Sequence, residues 1–214
     1  EANRVLAHLH GRHQLMAGLL YGAGLRVMEC VRLRVKDVDF GLQQIIVREG
    51  KGNKERVVPL PTGLQTALRS AIQHVVKLHE FDLAEGFGDV YLPYSLARKY
   101  PRAGRELAWQ YLFPADHRSV DPRSGVARRH HVGEQSLQRA VKKAIAKAHI
   151  NKQASCHTFR HSFATRLLEL NYDIRTVQTI LGHADVKTTE IYTHVLGKGA
   201  LAVTSPLDMA IGMN

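Results

Sequence analysis

The stretch HTFRHSFAT, residues 157–165, sets His157, Arg160 and His161 within five positions. On a helix, positions i and i+3 share a face, so His157 and Arg160 point the same way and His161 follows one turn beyond His157. An arginine fork donates two parallel hydrogen bonds to a phosphate, and an imidazole can add a third. That set suits a phosphodiester whose oxygens gain charge during displacement. Two other readings stand beside it. The same side chains fit a basic face that is solvated or paired with carboxylates. His157 and His161 also have the i, i+4 spacing of helical zinc ligands, but a metalloprotease helix needs Glu where Thr158 stands, and Arg160 between the ligands would repel a cation. No metal and no other cofactor is expected. Further along, ILGHADVKTTEIYTHV (180–195) places His183 after Gly182 and Tyr192 nine residues later, adding another donor and an accessible phenol.

These residues need elements to hold them. Leu15, Met16, Leu19 and Leu20 mark a helix over 11–21 that the glycines at 22–24 end, and LRVMECVRL (25–33) resumes helical spacing. The β-branched runs QQIIVRE and ERVVPLP flank GKGNK, so residues 43–60 read as a hairpin with Lys51 at its tip. Thr62 with Gln65 resembles a capping box, followed by a core-facing stripe of Leu64, Leu68, Ala71, Ile72, Val75 and Val76. Residues 84–132 carry no sustained stripe except around 102–111 and read as an insertion. Helical spacing returns at 137–149, 158–170, 174–181 and 186–195. The fold class expected is mainly α with a small antiparallel β-sheet (α+β).

The chain has 214 residues, 44% of them hydrophobic, enough for one substantial core. Thirty Lys and Arg against nineteen Asp and Glu leave a formal charge of +11, which favours a polyanionic partner, nucleic acid above all. Two cysteines, Cys30 and Cys156, make neither a disulfide framework nor a zinc quartet and are read as core residues of a reducing compartment. No run of eighteen apolar residues and no secretory leader is present, so a cytoplasmic location is expected. The first residue is Glu1 rather than Met, which points to a preceding segment.

GLRVMECVRL around Arg26, GKGNKERVVPL around Lys51, HTFRHSFAT around His157 and Arg160, and LGHADVKTTEIYTHV around His183 and Tyr192, in that order, resemble the tyrosine site-specific recombinases of the phage-integrase superfamily. The resemblance covers nearly the whole chain outside the insertion. It implies a tyrosine recombinase catalytic domain over 1–214, without the N-terminal DNA-clamping domain such proteins carry. It implies that Tyr192 attacks a DNA phosphodiester to give a 3′-phosphotyrosyl link, needing neither ATP nor metal. Arg26, Arg160 and His183 match the groups that hold the phosphate, and Lys51 the residue that protonates the leaving 5′-oxygen. His157 matches a histidine that assists the phenol as base or hydrogen-bond partner. Glu29, one turn after Arg26, is read either as orienting that guanidinium or as an ordinary surface pair. Lys54 and Arg56 are read as phosphate-tracking or solvated charges, and Cys156 and His161 as packing or supporting residues.

Within 84–132, LARKYPRAGRELAWQYLFPA followed by RRHH is similar to the added segment of integron integrases, bacterial recombinases that capture gene cassettes. That likeness implies folded single-stranded DNA sites with extrahelical bases, held by stacking on Trp109, His130 and His131, with Pro122 as a further wall. Trp109 as a core anchor, and the histidines as part of a basic face, remain the alternatives. The apolar tail, 197–214, is expected to dock on a neighbouring protomer of a synaptic tetramer, or else to fold back on its own domain. A Xer-type or phage-type recombinase acting on duplex sites is the nearest competing reading. A catalytically inactive DNA-binding module and a metal-dependent nuclease are the others.

Overall fold

The computed structural model describes residues 1–48, 55–183, 185, 187–190 and 192. In chain order they form helices α1 (Ala2–Ala7), α2 (Gly11–Gly22) and α3 (Val27–Val31), then strands β1 (Val38–Asp39), β2 (Gln44–Val47) and β3 (Arg56–Pro59). The long helix α4 (Gln65–Ala84) and the short α5 (Tyr94–Lys99) follow. A two-stranded ribbon of β4 (Ser119–Val120) and β5 (Ala127–Arg128) leads to α6 (Glu134–Lys147), α7 (Cys156–Glu169), α8 (Ile174–Leu181) and α9 (Lys187–Glu190).

The buried helix α2 is the hub. Its Leu15, Met16, Ala17, Leu19 and Leu20 are covered on all sides, because α1, α3, α4, α6 and α7 each pack against it. Around it β2 turns Ile45 and Val47 inward while its intervening residues are only partly covered, the period-two pattern of a sheet with one wet face. Ile45 faces Val58 across the hairpin, and Val38 of β1 faces Ile45 from the other side, so a three-stranded antiparallel sheet closes that flank of the core.

Each end that carries chemistry has a local cause. Ser155 starts α7 by accepting from the backbone N–H of His157 (3.2 Å), while Thr158 Oγ1 accepts from the N–H of Ser155 (2.9 Å). Asp173 caps α8 through the N–H of Thr176 (2.9 Å). Gly182 ends α8 in the left-handed conformation, φ 62°, and His183 leaves from there. The capping box expected at Thr62 is not formed: Thr62–Leu64 is a 3₁₀ turn, and α4 begins at Gln65 with no side-chain cap.

Residues 84–132 are more ordered than their composition suggests. Val90, Leu92, Ala103 and Tyr111 form a small core of their own, with Leu96 and Trp109 packed against it. The segment is stitched to the main body by the N–H of Val35 on Gln110 O (3.0 Å) and of Leu112 on Leu33 O (2.8 Å), and Leu112 and Phe113 enter the main core. Buried Asp82 of α4 accepts from Arg129 and Arg118, and Arg128 pairs with Asp89 and Asp121. Among the described residues no helix is long and apolar enough to cross a membrane.

Candidate active site

The site is built around one carboxylate. Glu29 lies in the first turn of α3, whose N-cap is Arg26. Its Oε2 accepts from the Arg26 backbone N–H (2.8 Å), and its Oε1 from Arg26 Nη1 (2.7 Å). Arg56, the first residue of β3, donates from Nη1 to Oε1 (2.8 Å), from Nη2 to Oε2 (2.6 Å), and from Nε to the carbonyl of Ile180 at the end of α8 (2.8 Å). Burial would push the Glu29 carboxyl up, but the hydrogen bonds and charge of Arg56, and then the bonds from Arg26, outweigh it and hold it at about 2. Glu29 is thus ionised and paired, and it is buried between two arginines rather than an ordinary surface pair.

Arg160 of α7 is 1% exposed, a buried guanidinium that the core tolerates because its ends are bonded. Nη1 donates to Gly24 O and Nη2 to Leu181 O, each at 2.5 Å, with Glu29 Oε2 3.7 Å from Nη1. Among the described residues its buried Nε–H has no acceptor. Burial and the charge of Arg26 lower its pKa to about 10, so it stays a cation at neutral pH. Three guanidiniums, of Arg26, Arg56 and Arg160, therefore surround a single carboxylate, and the surplus positive charge awaits an anion.

His183 and the aromatic groups complete the cluster. Burial, then the charges of Arg160, Arg26 and Arg56, push the His183 imidazole down to about 4, so it is neutral at pH 7. Its Nδ1 lies 2.9 Å from the hydroxyl of fully buried Thr189. When that hydroxyl donates to Nδ1, Nε2 carries the proton and becomes the available donor. His157 is exposed, and its ring meets that of His161 edge-on, centroids 4.3 Å apart. His161 in turn lies 5.3 Å from the ring of Tyr192. Tyr192 is 5% exposed, packed with Phe163, Ala164, Val177 and Leu181; burial raises its phenol pKa, while Arg160 and then Arg26 pull the other way. Both α7 histidines are held below the ordinary value by desolvation first and by neighbouring positive charge second.

The structure thus gathers Arg26, Glu29, Arg160, His157, His183 and Tyr192 into one region. Lys51, Lys54 and the tail 197–214 lie outside the described residues. One reading needs correcting: Arg56 is not a solvated charge. Its side chain is 9% exposed and it clamps Glu29 from 27 positions away, a long-range pairing that no local pattern reveals. His161 is the imidazole that touches the phenol ring, and His157 reaches it only through His161.

A second feature adjoins the first. A cleft of about 600 Å³ runs from Glu29 past Arg32, Arg34 and Lys36 to Tyr91, Trp109, Tyr111, Arg123 and His130. The Lys36 ammonium sits 2.8 Å from the centre of the Trp109 ring, and the Arg34 guanidinium 4.6 Å from that of Tyr111. Burial and then Arg48 bring the Lys36 amine down to about 8. His130 and His131 are in contact with each other, centroids 4.2 Å apart, and both rest on Tyr111. Trp109 and His130 line this cleft, His131 backs it, and exposed Pro122 is not among its walls. Among the described residues no group of three or more His, Cys, Asp or Glu side chains is placed to hold a metal ion.

The basic cluster of arginines and histidines with a tyrosine at its edge thus sits on a helical domain with a small sheet. The profile of the phage integrase family matches residues 1–198, and the chain belongs to that family of tyrosine recombinases. A protein described as integrase/recombinase from Escherichia coli is 53% identical over 208 residues, spanning 97% of this chain and 62% of that protein. The tyrosine recombinase XerC of Anoxybacillus flavithermus is 32% identical over 184 residues, spanning 86% of this chain and 50% of that protein. The chain therefore covers between half and two thirds of these relatives' length. Among solved structures, the XerA recombinase superposes with a TM-score of 0.63 at 27% identity, over 98% of this chain and 60% of that one. The XerH recombinase bound to its palindromic difH substrate shares the fold, with a TM-score of 0.59 at 23% identity over 90% of this chain and 47% of that one.

Proposed function

We propose that this chain is the catalytic part of a site-specific recombinase that cleaves and rejoins DNA through a 3′-phosphotyrosyl intermediate. The observation that carries the reading is the convergence of Arg26, Arg160 and His183 beside Tyr192, with a net positive charge and a buried guanidinium N–H that lacks an acceptor among the described residues. A scissile phosphate docks on Arg26 and Arg160, which share its non-bridging oxygens, and His183 donates from Nε2. The Tyr192 oxygen attacks phosphorus, forming the phosphotyrosyl ester as the bond to the 5′-oxygen breaks. Lys51 supplies the proton to that oxygen, and His157 assists loss of the phenol proton, with His161 between them as the nearest ring. Attack by the 5′-hydroxyl of a second strand reverses the steps, so bond energy is conserved and no cofactor is consumed.

Tyr192 is buried and its phenol pKa is raised, so the phenol must be drawn toward the phosphate before it reacts, with Arg160 and Arg26 supplying the positive charge that favours the phenolate. The test is a nicked duplex that traps the covalent intermediate, incubated with the protein in EDTA. A stable protein–DNA adduct is expected, lost in Tyr192→Phe with DNA affinity retained. No adduct, or one that survives the substitution, contradicts the reading.

The aromatic, cationic cleft favours the finer assignment to an integron integrase working on folded single strands. A base outside the helix is already unstacked, so a flat wall such as Trp109 captures it cheaply, each stack contributing about 1–3 kcal/mol. His130 and His131, resting on Tyr111, form the neighbouring wall, and Lys36 must yield the face of Trp109 that it now covers. Residues 84–132 are then the substrate-specific insertion of the catalytic domain. Hairpin DNA with bulged bases should bind more tightly than the same hairpin without them. Equal affinity, with efficient cleavage of plain duplex, favours a Xer-type or phage-type enzyme.

A further inference from the structure

We propose that Arg56 is a positioning residue for strand cleavage, locking Glu29, and through it Arg26, to the end of α8 from which His183 emerges. This rests on the recombinase reading above.

The geometry is a three-way tie. Both oxygens of Glu29 are shared between Arg26 and Arg56, and the Arg56 Nε–H binds Ile180 O, two residues before Gly182 and three before His183. The fork-on-carboxylate arrangement fixes direction as well as distance, which a lysine at the same place could not do. Gly182 makes room for it. A Cβ there would stand 2.8 Å from Arg56 Cδ and 3.1 Å from its Nε, so the missing side chain is what lets the guanidinium pass beneath the helix end. Arg56 also opens β3, where it pairs with Val47 at the end of the ladder farthest from Gln44 and Pro59. One side chain thus joins three elements that each carry or adjoin a catalytic candidate, with all three of its nitrogens bonded to protein acceptors.

The charged and titratable groups around Glu29 are Arg26 at the start of α3, Arg56 on β3, Arg160 on α7 and Cys30 beside it on α3, with His183 within reach of the three arginines. Removing Arg56 leaves a buried carboxylate with half its partners, so its pKa rises and its hold on Arg26 changes.

The experiment compares Arg56→Gln and Arg56→Lys with the unmodified chain on three readouts: DNA affinity, the single-turnover rate of adduct formation at saturating DNA across pH 4–8, and titration of the Glu29 carboxyl by carbon NMR. The Gln variant should lose at least about tenfold in rate while DNA affinity moves less than about threefold. Its rate should also fall off at a higher pH than that of the unmodified chain, and Lys should recover part of the loss. An unchanged rate and pH profile, or a loss explained entirely by affinity, overturns the proposal. If the Gln protein does not fold, the Lys variant, which keeps the charge and loses the fork, is read by the same criteria. Failure of the unmodified protein to form adduct contradicts the recombinase reading, not the tie. Glu29 titration then decides the tie, an upward shift in the variants upholding it and an unmoved Glu29 overturning it.

Discussion

Glu29 is a buried anion whose value lies in the cations it organises. Its charge is kept by Arg56 and Arg26 against the cost of burial, while burial first, and then the charges of Arg160, Arg26 and Arg56, keep His183 neutral. The neutral ring is a donor from Nε2 when the Thr189 hydroxyl donates to Nδ1, 2.9 Å away. Thr189→Val removes that hydroxyl while keeping the volume, so the imidazole is free to place its proton on either nitrogen. The loss of one such bond, about 1 kcal/mol, should slow adduct formation about fivefold to tenfold without weakening DNA binding. At the proposed nucleophile, His161 rather than His157 touches the ring of Tyr192. Comparison of His157→Gln with His161→Gln by rate against pH tells which imidazole serves the phenol: loss of the partner slows the reaction most near neutral pH, and the deficit shrinks toward alkaline pH as the phenol ionises unaided.

The elements hold these residues through ends rather than through faces. α3 begins at Arg26, α7 begins beside His157, and α8 ends at Gly182. Gly182→Ala should lower stability by about 1–2 kcal/mol from left-handed strain alone, more once its Cβ meets Arg56, read as a drop in thermal midpoint. Much of this was legible in the pattern of apolar residues. The helices α2, α4, α6, α7 and α8 and the hairpin strands β2 and β3 fall close to where spacing predicts them, and the stop at Gly182 follows from its backbone freedom. The short pieces α1, α5, β1, β4 and β5 span two to six residues, too few for a period to show, and exist because the packed whole supplies their partners. The grouping of Arg26, His157, Arg160, His183 and Tyr192 was legible in the sequence as a set of candidates, which the structure brings into one region. Arg56 was not: a basic residue in a basic hairpin becomes a buried clamp only when Glu29 and Ile180 are brought to it.

Over the whole molecule, the formal charge of +11 and the open cationic cleft belong to one electrostatic design. DNA affinity should fall steeply with salt, by about 10³ or more between 50 and 200 mM if six or more phosphates are engaged, and a flat salt response would argue against a DNA partner. Stability should follow pH with a defined sign. His183, whose folded value of about 4 lies below the ordinary 6.5, costs stability as pH falls through that interval, because the unfolded chain takes a proton that the fold refuses. Glu29 adds a second loss below its ordinary value of 4.5, complete only near its folded value of about 2. Thermal midpoints measured from pH 8 to pH 3 should therefore be level at first, decline below pH 6.5 and drop further below 4.5. The most direct test of the account is the identity of the residue joined to DNA. Adduct trapped on nicked DNA, digested and sequenced by mass spectrometry, should carry its nucleotide remnant on Tyr192 through the 3′-phosphate. A remnant on any other residue, or linked through a 5′-phosphate, would contradict it.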